Sequence, residues 1–222
     1  MPIPLIIWAA AGAAGTAGAY LARRQVRKPL ELAVLGQRLV GKTRLINTWR
    51  GEWEPPGRTQ APTKVTPVAV STGKQVLNVD KKFVFRQLVD ISGGDESAKS
   101  LGTLLTSAAA VLYLLDARTL AREEQRARWQ GQADDWARVQ LDASRLVRAT
   151  SARRVVFVVT HSDLDARCDR MSHDDYRDLL ARQLADVMAT VGDAAKVRLV
   201  AGSLVDPPRA RALSDSIIEH LL

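Results

Sequence analysis

Two kinds of hydrophobic pattern alternate along the chain: short apolar runs, and longer stretches whose apolar residues recur at helical spacing. Ala109–Leu115 and Val155–Thr160 are continuous apolar runs, the pattern of central parallel strands covered on both faces. Leu30–Leu35 and Val197–Ala201 also read as strands. Val68–Ser71 and Lys82–Val89 read as a strand pair joined by a turn between Gly73 and Asn78. Helical spacing predicts a short helix through Trp49, one over about 97–107, a long one from about Thr119 to Thr150, and a last one near 210–222. A further helix is expected to start at Ser172, where Asp175 three positions on makes a capping-box-like signal. Strands alternating with helices predict an α/β class, a three-layer doubly wound and mostly parallel six-stranded sheet.

The first segment breaks this pattern. Ile3 to Ala22 carries no charge, and Arg23, Arg24, Arg27 and Lys28 follow it. A helix of that length spans about 30 Å, the thickness of a bilayer's hydrocarbon core. Trp8 and Tyr20 fall near its ends, where amphipathic rings favour the lipid–water interface. The expectation is one transmembrane helix with its N-terminus outside, in residues 1–28, and a cytoplasmic domain over 29–222. A cleaved signal peptide would want a charged n-region, which is missing, although Ala17-Gly18-Ala19 has the look of a cleavage site. A buried core helix would leave the basic cluster unexplained. Gly12, Gly15 and Gly18, with Ala11 and Ala14, offer small faces on which two such helices can pack as a homodimer.

Composition narrows the class without naming the chemistry. The 222 residues are 46% hydrophobic and 25% charged, which excludes whole-chain disorder. The single cysteine, Cys168, excludes a disulfide scaffold and suits a reducing compartment. A net charge of +8 admits an anionic partner. No nucleic-acid motif appears and the aromatics do not interleave with basic residues, so no nucleic acid is expected. The juxtamembrane cluster instead suits anionic lipid. Trp129 and Trp136, seven apart in an arginine-rich stretch, fall on one helix face that packs on the sheet or meets a partner.

The chemistry lies in the loops. Gly36-Gln37-Arg38-Leu39-Val40-Gly41-Lys42-Thr43 fits G-x-x-x-x-G-K-[ST] between an expected strand and an expected helix. Its glycines let backbone N–H groups wrap phosphate oxygens, Lys42 reaches the β- and γ-phosphates, and the Thr43 hydroxyl suits Mg²⁺. Asp90 to Gly93 follows an expected strand, where Asp90 can hold Mg²⁺ through a water and the Gly93 N–H can approach a γ-phosphate. Asp163, in Thr160-His161-Ser162-Asp163, can accept two hydrogen bonds from guanine's ring N–H and exocyclic amine, which adenine cannot supply. Ser203 and Leu204, after the last expected strand, can turn backbone N–H groups toward the guanine carbonyl.

The order and spacing of these four loops resemble the G domain of the translation-factor-related GTPases, which include Ras-like, Era-like and dynamin-like proteins. The resemblance covers roughly residues 30–222 and implies a GTP- and GDP-binding, Mg²⁺-dependent enzyme working with a protein effector or activator. It carries Lys42 over as a catalytic charge and Thr160 as a hydrogen-bond donor toward the phosphate loop. It also makes His161 a cover for one base face. An anchor before a small G domain is similar, in architecture alone, to the signal recognition particle receptor β subunit.

Three departures change what the resemblance implies. Thr160 and His161 stand where the family has Asn and Lys. Gly94 stands where Ras-like members place a glutamine to orient the attacking water. Arg38 stands where they keep glycine, and it either crowds an incoming arginine finger or lies across the phosphates as a charge in cis. Slow intrinsic hydrolysis is therefore expected. The switch threonine that meets Mg²⁺ falls in the Pro/Gly-rich loop over 51–63 or just after it, with Thr63 favoured over Thr59 and Thr66. A scaffold that binds GTP but barely hydrolyses it, and a P-loop ATPase or kinase, are the other readings.

Overall fold

A computed structural model of the chain describes residues 30–36, 39–53, 67–69, 82–87, 108–123, 154–192 and 197–221. The strands are β1 (Leu30–Gly36), β2 (Pro67–Ala69), β3 (Lys82–Gln87), β4 (Ala110–Asp116), β5 (Arg154–Thr160) and β6 (Val197–Ala201). The helices are α1 (Lys42–Arg50), α2 (Ala117–Glu123), α3 (His173–Gln183), α4 (Ala185–Val191) and α5 (Pro207–Leu221). Short 3₁₀ turns cover Ser162–Leu164 and Cys168–Arg170.

The strands form one sheet in the order β2-β3-β1-β4-β5-β6. β3, β1, β4, β5 and β6 pair in parallel, and β2 runs antiparallel on β3 at the edge. The sheet is covered on both faces, which is why β4 and β5 carry unbroken apolar runs. On one face Val111, Tyr113, Leu115, Phe157 and Val159 pack with Leu120 of α2, Tyr176 and Leu180 of α3 and Val187 of α4. On the other, Leu32, Val34, Leu112, Leu114, Val156 and Val158 pack with Leu45, Ile46 and Trp49 of α1 and Leu213, Ile217 and Ile218 of α5. Alternate residues of β1, β4 and β5 thus serve opposite cores, each fully buried aliphatic side chain contributing about 1.5–3 kcal/mol. Tyr113 and Phe157, paired across β4 and β5, meet edge-on with ring centroids 5.8 Å apart.

Helix starts follow local chemistry. Ser172 caps α3, its hydroxyl oxygen accepting from the Asp175 backbone N–H at 3.1 Å. α2 begins at Ala117, two residues before the expected start, because Asp116 accepts from the Arg118 backbone N–H at 2.8 Å. Two helices, α3 and α4, follow Ser172 where the sequence pattern marked one start.

The topology singles out one end of the sheet. β1 lies between β3 and β4, so the chain builds outward on one side of β1 and then crosses to build on the other. In such sheets the crevice beyond the carboxyl ends of the strands, where the build direction reverses, accepts ligands. Here that crevice begins at Gly36.

Several expectations fall outside the described residues: the anchor over 3–22, the turn between Gly73 and Asn78, the helix over about 97–107, and the long helix beyond Glu123 with Trp129 and Trp136. Among the described residues no helix is long and apolar enough to cross a membrane.

Candidate functional site

At the end of β1 the backbone takes a conformation that suits glycine. Gly36 has φ 132°, and a Cβ there would overlap the Leu114 carbonyl oxygen of the neighbouring strand. Leu39 takes a left-handed conformation, φ 60°, and is 81% exposed; Val40 is buried. Gly41, φ 88°, is the N-cap of α1, and a Cβ on it would come within 2.8 Å of Leu204 Cδ1. A glycine cap places no side-chain oxygen on the helix's first N–H groups, and that helix end favours anions. Lys42, the first helical residue, is buried and donates from Nζ to the Gly36 carbonyl at 2.7 Å. This bond links the start of α1 back to the end of β1. Thr43 is the second residue of α1. Gln37, Arg38, Thr63, Asp90 and Gly93 lie outside the described residues.

A second cluster forms where β5 and β6 end. The Thr160 hydroxyl lies 2.9 Å from the Val40 carbonyl and 3.0 Å from the Leu115 carbonyl, so it buckles the segment before α1 to the sheet. The Asp163 carboxylate accepts from the Ser203 hydroxyl, whose oxygen in turn accepts from the Val205 backbone N–H at 3.1 Å. The Ser162 N–H donates to the Gly202 carbonyl at 3.2 Å, which joins the two loops through their backbones. Leu204 is buried beneath Gly41. Thr160, Asp163, Ser203 and Leu204 are thus brought together with Val40, Gly41 and Lys42. Ser203 engages through its side chain, where the sequence reading looked to its backbone.

His161 is left-handed, φ 56°, and its Nδ1 sits 3.2 Å from Asp116 Oδ2. Asp116 also takes a two-pronged grip from Arg118, whose Nη2 donates at 2.6 Å and whose Nε lies 3.0 and 3.1 Å from the two carboxylate oxygens. Burial opposes ionisation of Asp116, but the hydrogen bonds from His161 and Arg118 outweigh it and hold its carboxyl well below the usual range. Sequence reasoning missed Asp116 and Arg118. Their signal was a carboxylate closing an apolar strand, the same position that drew attention to Asp90.

Asp165, also missed, supports the turn that carries Asp163. It is 4% exposed, accepts from Arg167 at 2.8–3.1 Å and from the Tyr176 hydroxyl at 2.9 Å. Burial again opposes its charge, and these donors lower its pKa overall. Burial and the Asp165 carboxylate push the Tyr176 phenol far up. On the α1 side, Arg44 lies 4.5 Å from the Trp53 ring centroid and donates to the Val205 carbonyl at 3.3 Å, tying α1 to the loop after β6. Trp49 is buried, its indole N–H on the Ser214 hydroxyl. The Asp163–Ser203 pair lines a pocket of about 370 Å³ together with Ser162, Cys168, His173 and Leu213 among others. Burial raises the Cys168 thiol pKa, as suits an unreactive side chain. His173 and His220 are exposed.

The arrangement offers, at one end of the sheet, a glycine-turned loop with a lysine across it and an uncapped helix start. Beside it stands a carboxylate held in place by a buried serine. Among the described residues no cluster of three His, Cys, Asp or Glu side chains could hold a metal ion. Oxygen donors such as Thr43, with Asp90 and Thr63 outside the described residues, suit a magnesium ion that keeps most of its waters. No protein-family model matches the chain, and no curated protein matches it either.

Proposed function

We propose that the chain is a membrane-anchored, cytoplasm-facing GTP-binding protein that acts as a nucleotide-dependent switch and hydrolyses GTP slowly. The observation that carries this reading is the buckle from Thr160 to Val40. It joins the loop expected to hold phosphates to the loop expected to read the base, at the place where the sheet's build direction reverses. The antiparallel edge strand, the covered parallel strands and the pairing of Asp163 with Ser203 support the same G-domain reading. Residues 3–22 supply the anchor and, through their small-residue face, a route to a homodimer.

In this reading Lys42 leaves the Gly36 carbonyl to meet the β- and γ-phosphates, while Thr160 keeps the loop closed beneath them. Asp163 accepts from the guanine edge, and Ser203 fixes its carboxylate so that little reorganisation accompanies binding. Thr43, with Asp90 and Thr63, would hold a Mg²⁺ ion, which would supply positive charge beside the phosphates. Catalysis is then mainly electrostatic, from Lys42 and Arg38. Gly94 has no side chain to orient water, which favours slow turnover and, as a second reading, a GTP-dependent scaffold that barely hydrolyses.

The test is a titration of the full chain in mild detergent with fluorescent GTP and GDP, with and without Mg²⁺, and with unlabelled ATP as competitor. Binding that GTP and GDP displace and ATP does not is the expected result. Equal competition by ATP contradicts guanine reading and returns the chain to a P-loop ATPase or kinase. Multiple-turnover phosphate release then separates switch from scaffold.

A further inference from the structure

Resting on the nucleotide reading, the geometry points to Asp116 as a positioning residue that sets a stacking platform for the purine ring. Two planar groups share its carboxylate: the His161 imidazole at 3.2 Å and the Arg118 guanidinium at 2.6 Å, both on Oδ2. Arg118 also feels the charge of Asp163, so these groups stand around the residue expected to read the base edge. His161 is a quarter exposed and Arg118 more than two-fifths exposed, whereas Asp116 is mostly covered. The carboxylate thus anchors from below and the flat groups face outward. Imidazole and guanidinium planes both accept a base by stacking, and such contacts are tolerant of which base it is.

The left-handed backbone of His161 shows how closely this is set. A non-glycine residue in that conformation needs a compensating contact, and the Nδ1–carboxylate bond supplies one. Asp116 ends β4 and His161 follows β5, so the contact exists because these strands pair in register, Asp116 beside Thr160. Division of labour follows. Asp163 determines which base binds, and Asp116, acting through His161 and Arg118, determines how long any purine stays.

The experiment compares the full chain with Asp116→Asn, His161→Ala and the double variant. It measures fluorescent GDP affinity, displacement by GTP and ATP, and displacement by inorganic tripolyphosphate. Asp116→Asn is expected to weaken GDP binding about tenfold. Its preference for GTP over ATP and its tripolyphosphate affinity should stay unchanged. The double variant should lose clearly less than the product of the two single losses, since His161 belongs to the device that Asp116 holds. An unchanged GDP affinity in folded Asp116→Asn, a matching loss of tripolyphosphate binding, or multiplying losses in the double variant would each overturn the proposal. Should Asp116→Asn not fold, GDP affinity in His161→Ala decides, and no change there overturns it as well. Wild-type chain that binds neither GDP nor tripolyphosphate instead refutes the nucleotide reading itself.

Discussion

The two ends of the candidate site are built by different physics. Around Gly36 and Gly41 the shape is steric: positive-φ glycines, a neighbouring carbonyl with no room for a methyl group, and a leucine beneath the helix cap. Around Asp116, Asp163 and Asp165 the shape is electrostatic, made of carboxylates held by arginines, a histidine, a serine and a tyrosine. A steric loop is insensitive to pH and salt but intolerant of a single carbon. A charge-held loop tolerates small changes in shape but depends on each partner keeping its proton state.

The largest expected effect tests the steric end. Gly36→Ala sets a methyl against the Leu114 carbonyl oxygen in a backbone conformation that L-residues avoid. A loss of about 4 kcal/mol, near the extreme for one substitution, is expected in urea unfolding. A loss below about 1 kcal/mol would show that the loop relaxes, and would weaken the contrast. Next comes Asp165→Ala, which takes the buried carboxylate away from Arg167 and from the Tyr176 hydroxyl. About 3 kcal/mol is expected by the same assay.

Lys42→Met separates function from folding at the steric end. Its bond to the Gly36 carbonyl is worth about 1 kcal/mol of stability. On the proposed nucleotide reading, however, affinity for GDP should fall about a hundredfold, the loss expected of a charge-assisted contact to phosphate. Equal small losses in both would mean that the lysine only staples the loop.

Acid gives the smallest and most selective effect. Asp116 and Asp165 both have folded pKa values below their ordinary carboxylate value of 3.8. Their stabilisation is therefore complete above that value and is lost as pH falls through it toward the folded values. Unfolding free energy should be flat near neutrality and decline below about pH 4, and the decline should be shallower in Asp116→Asn. An equally steep acid limb in that variant would remove Asp116 from the account.

The same contrast explains what was legible in the sequence. Backbone-built features leave a local signature, so the Gly36–Thr43 loop, the Ser172 cap and the doubly buried runs of β4 and β5 could be read directly. Strand ends shifted by only a residue or two, as with Leu30–Gly36 and Pro67–Ala69. Side-chain pairs leave no such signature. Asp116 and His161 meet only because β4 and β5 align, and Asp165 finds Tyr176 only once α3 packs on the sheet. Asp163 was legible because its turn follows a clear strand, but the serine that holds it comes from another loop. α4 escaped notice because the pattern after Ser172 carries no second cap, its N-cap being Leu184.

The central claim is that Asp163 reads guanine, and one exchange tests it most directly. In Asp163→Asn the carboxylate becomes an amide, which matches the 2-oxo group of xanthine in place of guanine's exocyclic amine. Fluorescent GDP and xanthosine diphosphate are titrated into wild-type and variant full chains. The account predicts that GDP affinity falls about 10- to 100-fold while xanthosine diphosphate affinity rises. An unchanged preference for GDP in the folded variant would contradict it.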